Sequence, residues 1–315
     1  MLSRPRYFDD GIWGTETWPL LSACYSGDIR IVTRMLDKDP SCVRAQFAYY
    51  EPLHYAVRGG HSNVTQLLLD RGGDPRAEGW TRLGQDTPIS KATDRERHDL
   101  QIMLEHAAAT LQPRQPLPEK PRSPEQQLHR DFEIACGKND RKYVEKALAD
   151  HPHLATFGLY EAVHQKHTEL ARFLIEAGAN VNGHMPWACW FTPLMHAVRY
   201  EPQWDLAQLL LDSGVSVNGM NGLGMTPLHI TVLQNRTAAM EWLLDHGAHI
   251  DAIDEEFCST PLGWAARWGR SEAATMLLQR GANVLLPEET PWAQPERWAA
   301  KKGNHEILTI LGSRE

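Results

Sequence analysis

The triplet Thr-Pro-Leu begins at Thr192, Thr226 and Thr260, so it returns every 34 residues. The text around each triplet repeats in outline: FTPLMHAVRYEPQWDLAQLLLDSGVSVN from Phe191, MTPLHITVLQNRTAAMEWLLDHGAHID from Met225 and STPLGWAARWGRSEAATMLLQRGANV from Ser259. A fixed period of this length restricts the chain to architectures made by stacking one small unit. No single unit of that size can bury an apolar face alone, so neighbours must share a core.

The unit can be built from elementary rules. Thr226 offers a side-chain oxygen to cap a helix, and Pro227 sits just inside, where its missing N–H costs nothing. Leu228, Ile230 and Thr231 begin a short helix, and a second follows over residues 238–245 with Trp242, Leu243 and Leu244 facing the stack. Gly247 suits the positive-φ position that ends a helix. A Thr-Pro-Leu-His head, a Leu-rich run mid-unit and Gly-Ala near the end resemble the ankyrin repeat. The resemblance is strongest over 159–283 and 51–75. It implies an all-α, ankyrin-type solenoid of about eight helix–turn–helix repeats joined by β-hairpin-like linking loops. It also implies a binding scaffold without catalysis of its own. His229 and His196 are assigned to the His slot of that head, where the family's histidine ties turns together.

In chain order, residues 1–17 are expected to cap the stack, with Tyr7, Phe8, Trp13 and Trp18 making this end aromatic. A first repeat block follows over 18–110. Its third unit lacks the Gly-Ala ending and runs on into Ala107–Thr110. Residues 111–127 carry Pro113, Pro116, Pro118, Pro121 and Pro124, which read as an extended, semi-rigid linker without helix, or as a PxxP ligand. The second block, with its C-terminal cap, spans 128–315 and opens on a divergent unit over 131–155.

The formal net charge is −8, and no basic stripe is present, so nucleic acid is not an expected partner. No run of about 18 apolar residues occurs, which gives no membrane span and a cytoplasmic expectation. The five cysteines show no CxxC and read as reduced thiols, with Cys24 and Cys136 on buried helix faces. GxSxG, HExxH and GxxxxGK[ST] are absent, and no cofactor, metal or catalytic set is expected. His164, His167 and His184 could approach on adjacent units, while His151 and His153 flank Pro152 with no third ligand indicated.

The resemblance implies two variable surfaces on a concave face: the linking loops and the ends of the first helices. Aromatic residues collect there, among 11 tryptophans in the chain. Trp264, Trp298 and Trp242 read as packing residues. Trp187, Trp190, Trp268 and Trp292 fall at surface-facing slots, where exposed aromatics mark interaction sites. With Tyr200, Arg199, Arg267 and Glu256 they form the expected ligand-binding set. The acids Asp254, Glu255, Glu256, Glu288 and Glu289 lie in the neighbouring loops. The expectation is an aromatic, acidic groove that takes a protein or peptide partner. The alternative is a small-molecule or glycan site, using paired carboxylates as an acid/base hydrolase of a sugar-like substrate.

Overall fold

The computed structural model describes residues 17–46, 50–78, 86–110, 124–182, 191–199, 201–221 and 223–312. Each Thr-Pro head starts a helix as the cap chemistry requires. Thr260 Oγ1 accepts the Gly263 N–H at 3.2 Å, Thr192 Oγ1 accepts that of Met195 at 3.4 Å, and proline stands at the first helical position of both. All regular structure among the described residues is helical.

The chain forms two compact units. Among the described residues, the first runs up to Thr110 and the second from Pro124 onward. In the first unit, α1 (Thr17–Ser26) pairs with α2 (Ile29–Lys38), α3 (Pro52–Gly59) with α4 (Ser62–Asp70), and α5 (Pro88–Asp94) with α6 (His98–Thr110). The inner helices α1, α3 and α5 stack in order, and the outer helices α2, α4 and α6 stack beside them. Their shared core holds Leu20, Leu21, Leu36, Leu53 and Leu68, all shut off from solvent. α6 is the longest outer helix of this unit, because no Gly-Ala turn stops it before Thr110.

The second unit continues with α7 (Pro124–Gly137) and α8 (Arg141–Asp150), α9 (Ala155–His164) and α10 (Thr168–Glu176), and α11 (Pro193–Val198) and α12 (Trp204–Asp212). Then come α13 (Pro227–Leu233) and α14 (Thr237–Asp245), α15 (Pro261–Trp268) and α16 (Ser271–Gln279), and α17 (Pro295–Lys302) and α18 (His305–Gly312). Each inner helix from α7 to α17 packs on the next. The described residues thus hold nine pairs, one more than the sequence count. α7 also begins at Pro124, inside the stretch expected to be linker, because proline is tolerated at a helix start. Residues 1–16 and 111–123, where the cap and most of the linker were placed, lie outside the described residues.

Hydrogen bonds repeat with the period. His229 Nδ1 accepts the Thr226 N–H at 3.2 Å, so its proton is on Nε2, which donates to Ser259 O at 3.2 Å in the next unit. His54 makes the same pair of bonds, to Glu51 N at 3.1 Å and Ala77 O at 3.1 Å. His196 does not belong to this slot. Met195 is the third residue after Thr192 and fills it, with Sδ receiving the Thr192 N–H. The outer turns carry a second ladder. Asn182 Oδ1 accepts from Ser216 N at 2.9 Å, Asn218 Oδ1 from His249 N at 2.7 Å and Asp251 Oδ1 from Asn283 N at 3.0 Å. The linking loops close on themselves, Asn221 N to Met225 O and Asp254 N to Ser259 O, and Glu255 N reaches Leu223 O of the preceding loop at 2.9 Å.

Candidate functional site

In four inner helices the residue seven beyond the N-cap is a cation at the helix end: Arg58 after Glu51, Arg199 after Thr192, Arg267 after Thr260 and Lys301 after Gln294. In all four the cation lies over aromatic faces. Arg58 sits 5.5 Å from the Tyr25 ring and 5.6 Å from Tyr55, Arg199 4.4 Å from Phe191, and Lys301 5.4 Å from Trp298. A delocalised cation over an aromatic face gains from the ring quadrupole, and more so out of water.

Arg267 is the most enclosed case in the second unit. It is buried, with its guanidinium carbon 4.2 Å from the Phe257 centroid, 4.4 Å from Trp298 and 5.2 Å from Trp268. Phe257 meets Trp264 edge-on at 5.3 Å and Trp298 at 6.1 Å, and Trp292 meets Trp298 at 5.8 Å. Beneath the rings lies a buried carboxylate. Asp254 accepts from Phe257 N at 2.7 Å, Ser259 N at 3.1 Å and Trp264 Nε1 at 2.8 Å. The interior of this aromatic cluster is therefore filled by the chain's own arginine.

Gly263 explains how this packing arises. It stands where other units carry a histidine, and a Cβ there would overlap Ser259 Oγ. That hydroxyl donates to Ala293 O at 2.7 Å and accepts from Trp298 Nε1 at 3.2 Å. The serine thus replaces the histidine's tie between units, and its hydroxyl occupies the space beside Gly263.

The expected ligand-binding residues separate into three groups. Trp268, Trp292 and Arg199 are half-buried and reach the surface. Glu256 and Arg267 are buried, so both support the surface rather than present it. Trp187, Trp190 and Tyr200 lie outside the described residues, as do His184 and Cys189. Trp264 and Trp298 are core residues as expected, whereas Trp242 is only half-buried and stacks on His246 at 4.1 Å. Of the acids, Glu288 and Glu289 are exposed, while Asp254 is committed to its three donors. An acid pair joining the two neighbouring loops through Asp254 or Glu256 is not presented to solvent.

Among the histidines, His167 Nε2 bonds to Gly137 O at 3.0 Å and is structural. His164 meets His196 instead, with their Nδ1 atoms 3.2 Å apart, so one ring donates and the other accepts. Burial first, then Arg199 and His164, hold the His196 pKa well below the usual histidine value. Two features were missed from sequence. Trp204 is exposed at the start of α12 and lies 5.7 Å from Trp242. In the first unit, Lys91 Nζ and Asp86 Oδ1 form a buried ion pair at 2.7 Å, joined by the Tyr50 hydroxyl. The Lys91 signal was its place on an apolar inner-helix face.

A family model described as ankyrin repeats in three copies matches residues 17–112 and 194–287, and one described as an ankyrin repeat matches 159–184. The chain is 38% identical over 60 residues to palmitoyltransferase Hip14 of Drosophila melanogaster, covering 19% of this chain and 9% of that protein. It is 34% identical over 86 residues to zygote-specific protein 3 of Chlamydomonas reinhardtii, covering 27% and 22%. It is 30% identical over 103 residues to human ankyrin repeat and SOCS box protein 16, covering 33% and 22%. The chain thus spans less than a quarter of the length of these curated relatives. The family models cover more than half of the chain, and its helix pairs, proline-headed caps and histidine ties are those of the repeat: the chain belongs to the ankyrin-repeat family.

Proposed function

We propose that the chain is a protein-interaction scaffold whose second unit binds an extended peptide or loop across the ends of α11, α15 and α17. Trp268 and Trp292 are the anchors, Arg199 adds a donor, and the exposed Glu288 and Glu289 favour a basic residue in the partner. The supporting observation is the position of the two tryptophans. Each is half-buried at the edge of a cluster whose interior is occupied by Arg267, Phe257 and Trp298. Rigid, partly exposed aromatics lose little freedom on binding, which is what an interface anchor requires.

Selection of a displayed peptide library on the full chain tests this reading. Enriched peptides are expected to combine an apolar anchor with a basic residue. Their affinity should fall about tenfold or more for Trp268→Ala and for Trp292→Ala, and remain unchanged for Trp242→Ala on an outer helix. Peptides that bind all three variants like the parent chain would refute the site.

A further inference from the structure

The sequence places His151 and His153 around Pro152 without a third ligand; the fold brings Glu125 and His129 to His153. Glu125 and His129 stand one turn apart on α7, so they share a face. The short turn Pro152–Leu154 after α8 carries His153 to that face, with its ring 5.9 Å from the His129 ring. The ligand atoms of Glu125, His129 and His153 all lie within 4.8 Å of one another. We infer that these three residues form a site for a divalent transition metal of the zinc type.

The donor set supports this assignment. Two imidazoles and one carboxylate are ligands that Zn2+ takes together, whereas Mg2+ and Ca2+ prefer all-oxygen shells. Bonds of about 2.1 Å at the tetrahedral angle place ligand atoms about 3.4 Å apart. The remaining distance is closed by torsions of Glu125 and His153, both of which are exposed. His129 is the fixed member. Its ring lies 4.6 Å from Phe157 on α9, and solvent does not reach its Nε2. The exposed side gives the ion its entry path. His151, with its ring 5.9 Å from that of His153, or a water molecule completes the shell. A metal here clamps α7 to the turn that leads into α9. It would brace the first pair of the second unit, which the sequence shows to be divergent from the repeat.

The test uses the full chain after treatment with a chelator, with Co2+ and Zn2+ as the only probes. One Co2+ should bind per chain with the visible absorption of a tetrahedral N/O site, and Zn2+ should displace it. Saturating Zn2+ should raise the melting temperature by about 2–4 °C. His153→Ala should abolish the Co2+ spectrum, and Glu125→Gln should weaken Zn2+ binding about tenfold or more. Both altered residues are exposed, so circular dichroism of the variants should match the parent. No Co2+ spectrum in the parent chain, or Zn2+ binding of equal affinity in the parent and His153→Ala, would overturn the assignment. The second result would place the ion on other histidines or on cysteines.

Discussion

Trp264 donates its indole N–H to Asp254 Oδ2 at 2.8 Å, and both residues are shut off from solvent. The carboxylate is buried under rings and depends on its three donors. Trp264→Phe keeps an apolar ring but removes one of them. A buried acceptor left short of a charge-assisted bond costs about 2–3 kcal/mol. The urea midpoint should fall accordingly with the slope unchanged.

Gly263 and Ser259 are coupled by lack of space. In an ordinary helix, Gly→Ala adds stability of about 0.5–1 kcal/mol. Here the new Cβ would displace Ser259 Oγ from Ala293 O and Trp298 Nε1, so Gly263→Ala should destabilise by about 1–3 kcal/mol. Ser259→Ala removes the obstruction. The double variant should therefore be more stable than the sum of the two single losses, by about 0.5 kcal/mol or more in a double-mutant cycle.

Lys91 and Asp86 form their ion pair almost fully buried. Lys91→Met leaves the carboxylate without its cation and should cost about 3–5 kcal/mol. Pairing it with Asp86→Leu should recover part of that loss, since no buried charge remains while the Tyr50 hydroxyl loses its Asp86 acceptor. Denaturant unfolding of the single and double variants checks the order. A double variant no better than Lys91→Met would show that Asp86 is not the residue stranded.

His196 and His229 both have pKa values below the usual histidine value, in each case mainly through burial. For His229, Asp254 and backbone bonds to Ser259 and Ala252 oppose the shift without cancelling it. The unfolded chain therefore takes up protons near pH 6.5, where these two residues in the folded chain do not. Their contribution is intact above about pH 6.5 and is lost as pH falls toward the folded-state values, with a slope of at most about 1.4 kcal/mol per pH unit for each. His196→Leu should make the fall in stability between neutral and mildly acidic pH shallower. An unchanged slope would remove His196 from the account.

Lys166 adopts φ +65° in the turn after α9, where Gly60 and Gly269 hold the matching turns of other pairs. A side chain in the left-handed region costs about 1–2 kcal/mol, partly offset by the stiffer unfolded chain. Its ion pair with Glu201 is exposed and contributes little. Lys166→Gly should stabilise by about 0.5–1 kcal/mol, read from thermal and urea unfolding.

The fold was legible because its signals are local. Thr192, Thr226 and Thr260 cap helices that start at the following proline, and Gly247 ends the outer turn with φ +86°. Such features act within a few residues of themselves. Pro124 was misread for the complementary reason: a proline that forbids a helix interior is welcome at its first turn, and only the packing of α7 on α9 decided which applied. His196 was placed in the wrong slot by one residue, which a helix turns by about 100°. Met195 faces inward and His196 faces His164.

The sequence offered candidate residues but not which of them reach the surface. The 34-residue period by itself determined that repeats stack, and the resemblance to the ankyrin repeat placed Trp264 and Trp298 at core-facing helix positions. Tertiary structure decided which of those groups remain available. Arg267 turns into the rings of Phe257 and Trp298, and Asp254 is consumed by three donors, because a buried charge must find partners wherever neighbouring units offer them. The same holds for Glu125, His129 and His153. Their spacing in the chain says nothing of a shared site, and only the packing of α7 against the turn before α9 brings the three together.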